Sequence, residues 1–547
     1  LYFHQRILPE IMSKSFRSLF NALKAAANQF DEAATANKQK TFQLLHKTPL
    51  PTNKDLVEYQ HLLLFLSAHP GNEAFLELVK KEKERFDKHL KKLSQAAKNQ
   101  LQNTGLPYTT TLSSYSHDLL MWLTENKDIK LTFDSSSEEE IELNHILQFT
   151  LPDVEKALTA AGNVQEDLLH ELKVRPDQFL PFLLDQFSGL NHEPHLKDFF
   201  WNKLNVYVEL SSEHSKFSKL HNCLNFDNTF YHSDLLRSFD HLELLNTELP
   251  YYLNLGIEKE DELIAVMRNA LLFLERETDP TTYIDRRSLR FYQLERGISI
   301  AVYTMTPNRH LPLESYAGYT LFKNGYPAAY GGAWVHGRKA LFGINIFEQF
   351  RGGESGYMFI QLLRVYRQAF GVTYFEVEPY QYGLDNPEGI ESGAFWFYYR
   401  YGFRPLEKQL NRIAEDEHAK IKAKKGYRTA AKTLVRFTES NIALNLGSRI
   451  PEGVHELRER ITSYIAGNYN SNRTEALREC LAWFRDKANF IRMCNKYEEA
   501  VLKDIALMAR TLNVQNEAKL ELLKEMIPAK PTDMYTFQEL LVEFMEQ

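Results

Sequence analysis

Apolar residues recur at spacings of three and four through the first hundred positions. Phe16, Leu19, Phe20 and Leu23 make one such stripe, and Leu62, Leu63, Phe65 and Leu66 another, which predicts helices over about 13–100. Thr104-Gly105 and Leu106-Pro107 break the pattern, so 103–114 reads as turn-rich. A polar run at 135–140 predicts a surface loop leading into a helix start. Helical periodicity then resumes to about 275, with interruptions near 191–194 and 211–215. After Asp279-Pro280 the period changes. β-branched and aromatic runs at 298–305, 316–322, 328–335 and 339–347 alternate with turn pairs. Asn324-Gly325 and His336-Gly337 favour positive φ and close tight hairpins, so the last three runs predict an antiparallel meander. From about 408 the helical pattern returns, beginning with a mixed-charge run over 407–432.

The expected architecture is therefore α+β, a mixed-sheet domain flanked by large, mainly helical regions. At 547 residues the chain exceeds what one core accommodates. The expected divisions are an extension or cloning remnant at 1–11, a helical region at 12–285 with a possible break at 103–114, the sheet domain at 286–410, and a helical region at 411–547. A net charge of −7 gives no global electrostatic case for nucleic acid or an anionic membrane as partner. The three cysteines, Cys223, Cys480 and Cys494, lack CxxC spacing. That argues against a disulfide framework or a thiolate zinc site and suits a cytoplasmic location. No apolar run approaches the length of a membrane span.

Chemistry concentrates in one stretch. Phe347-Glu348-Gln349-Phe350-Arg351-Gly352-Gly353-Glu354-Ser355-Gly356 precedes an apolar helical stripe of Phe359, Leu362, Leu363, Tyr366 and Phe370. Gly371 ends that helix in the manner of a C-terminal glycine, and a strand follows at 373–378. The segment thus reads as strand, glycine-rich turn, helix and strand. Glycines let the backbone turn tightly, and the amides that open the helix converge on one point, which suits a pyrophosphate. A dinucleotide-binding turn is the rival reading, since Glu376 and Glu378 lie about 20 residues downstream. That fingerprint needs glycine where Arg351 stands and a parallel βαβ context, whereas hairpins precede this turn.

In its order of motifs this stretch resembles the GNAT superfamily of N-acyltransferases. That family places an Arg/Gln-x-x-Gly-x-Gly/Ala loop between a strand and the next helix; here Arg351, Glu354 and Gly356 stand at the marked positions, with glutamate replacing the middle glycine. The segment Ala394-Phe395-Trp396-Phe397-Tyr398-Tyr399-Arg400-Tyr401-Gly402-Phe403 is similar to the family's Ala-x-x-Phe-Tyr-x-x-x-Gly-Phe ending. The resemblance covers about 288–408. It implies a mixed sheet splayed between two parallel strands, with acetyl-CoA or another acyl-CoA as co-substrate. The backbones of Ile346 and Phe347 would orient the pantetheine arm, and the loop Arg351, Gly352, Gly353, Glu354, Ser355 and Gly356 would hold the pyrophosphate. Tyr398 stands where the family often uses a tyrosine to protonate the departing thiolate. The acceptor would be an amine, on a small molecule or a protein, that attacks the thioester directly.

A base must take the proton from the attacking amine. Glu348, at the exit of one strand, and Glu378, at the end of the next, are candidates; His336, in a hairpin turn, is a third, expected rather as a solvated turn residue. The carboxylate of Glu354 would repel a pyrophosphate unless its side chain points away. Two other classes of function stay open: a GNAT-like binding or scaffold protein without turnover, and an acyl or aminoacyl transferase that uses another carrier. Histidines 192, 195, 214, 221, 232 and 241 read as ordinary surface or packed residues, because the proline in His192-Glu193-Pro194-His195 breaks the helix that would align two imidazoles, and no metal is expected. The basic run 420–425 reads as a solvated helix end.

Overall fold

The computed structural model describes residues 15–137, 141–161, 165–190, 194–226 and 228–547. The expected extension at 1–11, part of the 135–140 loop and His192 lie outside them. Two compact units form. The first takes the chain up to Leu235 together with Asn269–Arg276 and Asn324–Tyr326; the second takes Leu236–Arg268, Glu277–Lys323 and Pro327–Gln547. Among the described residues no helix is long and apolar enough to cross a membrane.

The first unit opens with helices at Phe16–Ala26, Glu32–His46, Asp55–Ala68 and Glu73–Lys91. Ser15, Asp31 and Asn72 cap three of them, each side chain accepting from an amide three residues on. Their apolar stripes meet in a core that includes Leu23, Phe42, Tyr59 and Phe86. At the expected turn-rich stretch Asn103, Gly105 and Tyr108 are all at positive φ. At its end and after it, strands interrupt the helical pattern. Strands β1 (Thr111–Ser114), β2 (Lys130–Ser135) and β3 (Tyr207–Ser211) form an antiparallel sheet in the order β1-β3-β2. Four to six residues carry too little alternation to announce a strand, and only β3 shows a clear in-out pattern, burying Val208 and Leu210.

The second unit is built on an eight-stranded mixed sheet. Its strands are β4 (Arg290–Gln293), β5 (Ile298–Thr304), β6 (Ser315–Lys323), β7 (Tyr326–His336), β8 (Lys339–Ile346), β9 (Tyr374–Val377), β10 (Arg404–Pro405) and β11 (Ile442–Asn445), in the order β10-β11-β9-β8-β7-β6-β5-β4. The four runs read from the sequence are β5 to β8. Asn324 (φ 44°) and Gly325 (φ 82°) close one hairpin, and Gly337 (φ 54°) the next. At that second turn the reading of His336 is corrected. It is buried, and its Nδ1–H donates to the Leu313 carbonyl at 2.6 Å. The turn itself starts one residue later, so the histidine still belongs to the strand and points inward. Burial holds its imidazole below the ordinary value.

The C-terminal helices belong to this same unit. Phe484, Leu502, Leu523, Met526 and Phe537 share a core with Leu313 from the loop before β6. Tyr535 donates its hydroxyl to the Ser288 carbonyl at 2.8 Å, and Gln538 donates to Ser315 Oγ at 2.7 Å and the Val335 carbonyl at 3.1 Å. Cutting these contacts would expose apolar sheet surface and orphan buried polar groups. An isolated 285–410 fragment is therefore expected to aggregate or to melt without cooperativity. A soluble, monomeric fragment with a sharp calorimetric transition would contradict this.

Candidate functional site

Strands β8 and β9 run parallel, yet their pairing lasts only three residues, from Lys339 opposite Tyr374 to Leu341 opposite Glu376. On its other edge β8 stays paired with β7 as far as Ile346, opposite Ala329. Beyond Leu341, then, β8 keeps one neighbour while β9 turns away at Val377 into the short helix Pro379–Tyr382. A wedge opens between two parallel strands, with part of the β8 backbone facing it. Backbone polar groups left in such a position demand other partners.

After β8 the chain turns through Arg351–Glu354 into the helix Ser355–Phe370. The turn depends on Gly352, at φ 77° with open space around it. The helix is buried on almost every side, with Phe359, Leu362, Leu363 and Tyr366 all in the core, and Gly371 (φ 71°) closes it as read. Glu354 holds the N-cap position, but its side chain does not cap the helix. The first amides of this helix have no acceptor within it and point together out of its end. Gly356 is glycine for another reason: a Cβ there would overlap the Tyr401 hydroxyl, which is lodged against the first turn.

The Glu354 carboxylate turns away from the loop into the protein. Its Oε1 accepts from Arg296 Nε at 2.6 Å and from the Leu236 amide at 2.9 Å, and its Oε2 accepts from Lys323 Nζ at 2.5 Å. Lys323 also donates to the Arg296 carbonyl at 2.6 Å. Arg296 itself sits at φ 59°, a left-handed conformation that costs a non-glycine residue about 1 kcal/mol and delivers its guanidinium to the carboxylate. Both Glu354 and Lys323 are fully buried. The charge that would oppose an anion at the loop is thus neutralised within the fold. Sequence reasoning missed Arg296 and Lys323, although a lysine closing the apolar run before Asn324-Gly325 was a signal.

The remaining candidates fall in different places. Arg351 does not reach over the loop; its Nε donates to the Ile346 carbonyl at 3.1 Å, and its terminal nitrogen pairs with Glu388. Phe347 is buried beside Tyr330, with ring centroids 5.7 Å apart. Gly353 is buried in the turn, while Ser355 is half-buried at the first helical position. Glu348 and Glu378 are both exposed at the ends of their strands.

Tyr398 lies in the helix Ala394–Arg400, packed edge-on against Phe359 at 5.5 Å and Phe403 at 5.6 Å. Burial pushes its phenol well above the ordinary value, so the hydroxyl keeps its proton. It donates to Gln381 Oε1 at 3.3 Å, and the same oxygen accepts from the Ile344 amide at 3.3 Å. Gln381 therefore stands in the wedge, joining β8 to the tyrosine. The neighbouring tyrosines go elsewhere: Tyr401 to the glycine turn, and Tyr399 beneath the Arg404 guanidinium at 3.8 Å. Small residues make room here. A Cβ on Gly331 would come within 2.6 Å of the Tyr319 hydroxyl, which donates to the Gly343 carbonyl at 3.0 Å. Gln381 escaped the sequence reading because a lone glutamine in a one-turn helix carries no motif.

Compared with known proteins, the chain matches no protein-family model, no curated protein and no solved structure.

Proposed function

We propose that this chain is an acyl-CoA-dependent N-acyltransferase of the GNAT type. The observation that carries the proposal is the three-residue parallel pairing of β8 and β9, beyond which β8 runs on through a glycine turn into a helix N-terminus. An elongated ligand with a pyrophosphate at one end and an amide-bearing arm suits that combination. The helix amides would take the pyrophosphate, and the wedge-facing edge of β8 at Ile346 would take the arm, with Arg351 giving up the Ile346 carbonyl and the Phe347 amide staying on the Ala328 carbonyl. The order of the sheet and the inward turn of the Glu354 carboxylate both support this reading.

Chemistry follows from the arm's end. An acceptor amine adds to the thioester carbon, and the C–N bond forms as the carbonyl electron pair moves onto oxygen. Collapse restores the carbonyl and expels the coenzyme A thiolate, and the proton lost by the amine ends on that thiol. Tyr398 is the phenol best placed to supply a proton on the leaving-group side. Exposed Glu348 and Glu378 are the candidate bases at the strand ends.

Isothermal calorimetry with acetyl-CoA and with free coenzyme A tests the ligand class. Saturable binding of both, weakened modestly by salt, is expected. A protein that binds neither at millimolar ligand would overturn the proposal.

A further inference from the structure

The wedge is not empty. Where β8 loses its strand partner, the Ile344 amide donates to a side-chain carbonyl, Gln381 Oε1, at 3.3 Å. The Tyr398 hydroxyl donates to that same oxygen at 3.3 Å. Both bonds are long for their type, and Gln381 itself is only half-buried, on a short helix at the wedge's edge. Gly343 admits it: a Cβ at that position would lie 3.3 Å from Gln381 Nε2. A backbone N–H and a phenolic O–H thus converge on a single amide-type carbonyl oxygen. Two fixed donors on one carbonyl oxygen are the arrangement that stabilises negative charge developing there.

We infer that Gln381 is a displaceable stand-in for the thioester carbonyl, holding the Ile344 amide and the Tyr398 hydroxyl in register until an acyl-CoA takes its place. This rests on the acyl-CoA reading and adds to it the point of reaction and a residue that competes for it. Ile344 lies three residues inside the rim at Phe347, about 10 Å along the strand, so the site is at the deep end of the arm's path. On binding, the thioester oxygen replaces Gln381 Oε1 and the carboxamide swings outward. When the amine adds, the resulting oxyanion receives both donors; on collapse the carbonyl re-forms, the C–S bond breaks, the Tyr398 proton passes to the departing sulfur, and the proton lost by the amine restores the phenol.

Gln381 is here a competitor for the site and makes no contact with the reacting atoms. Its removal should favour a ligand that carries the thioester carbonyl and be indifferent to one that lacks it. Calorimetry on the full chain with Gln381→Ala is expected to show acetyl-CoA binding about fivefold tighter, the equivalent of one ordinary hydrogen bond, with free coenzyme A within twofold of wild type. Gln381→Glu should act in the opposite sense, because a carboxylate holds both donors more firmly, and acetyl-CoA should bind more weakly while coenzyme A again changes little. A purely structural glutamine would shift both ligands together in both variants, and that result overturns the inference while leaving the acyl-CoA reading intact. If wild-type protein binds neither ligand, the acyl-CoA reading falls and this inference falls with it.

Discussion

Tyr398→Phe is expected to lower turnover by roughly 10²–10⁴-fold, the scale of a lost general acid, while acyl-CoA affinity changes little. The ring keeps its contacts with Phe359 and Phe403, so the core survives the substitution. What disappears is one long hydrogen bond to Gln381, with a stability cost on the order of 1 kcal/mol. Because burial keeps the phenol protonated well past its ordinary range, the alkaline limb of a pH–rate profile should not be set by Tyr398. The variant should keep the shape of the wild-type profile at a uniformly lower rate. Until an acceptor is found, slow hydrolysis of acetyl-CoA gives a usable rate. Undiminished turnover in Tyr398→Phe would confine the residue to packing.

The second large effect concerns stability. Glu354→Gln keeps the shape of the buried cluster but removes the charge that balances Lys323 and Arg296. Breaking one side of a buried ion pair typically costs about 3–5 kcal/mol, because the surviving charge stays desolvated. The expected result is an unfolding free energy, read from chemical denaturation at pH 7, lowered by about that amount, with the start of the site helix held less firmly. The pH dependence has a definite sign. Burial, the dominant influence, lowers Lys323 from its ordinary 10.5 to about 8 even with Glu354 alongside. Between those values the unfolded chain holds a proton that the folded one has released, so this group adds stability as pH rises from about 8 to 10.5. Without the carboxylate, Lys323 releases its proton at still lower pH. The gap between Glu354→Gln and wild type should therefore narrow as pH rises towards about 8 and stay constant above it, where Lys323 is neutral in both folded proteins. A gap that is small at pH 7, or that widens with pH, would show that the cluster does not hold this part of the fold.

Much of the site's frame was legible in the sequence. Hairpin chemistry at Asn324-Gly325 and Gly337, and an apolar stripe ended by Gly371, are local signals that tertiary packing reinforced. Three kinds of feature were not legible. Strands of four to six residues, such as β1 and β2, lack enough alternation to be told from loop. Long-range polar pairings leave no local trace: Glu354 meets Lys323 and Arg296 from more than thirty positions away, and that pairing decides which way its carboxylate points. Gln381 becomes meaningful only when the parting of β8 and β9 sets it opposite Ile344. The site is thus readable as a succession of elements, while its electrostatics and its innermost contact depend on the fold.

The central claim is that a coenzyme A thioester lies along the open edge of β8 with its pyrophosphate on the helix that starts at Ser355. Hydrogen–deuterium exchange of the full chain, with and without saturating acetyl-CoA, tests this most directly. The account predicts slowed exchange concentrated in two places, the wedge-facing β8 amides of Ile344 and Ile346 and the turn and first helical amides at 352–357, with the far end of the sheet near His336 unchanged. Binding without protection in either run, or protection confined to other segments, would contradict it.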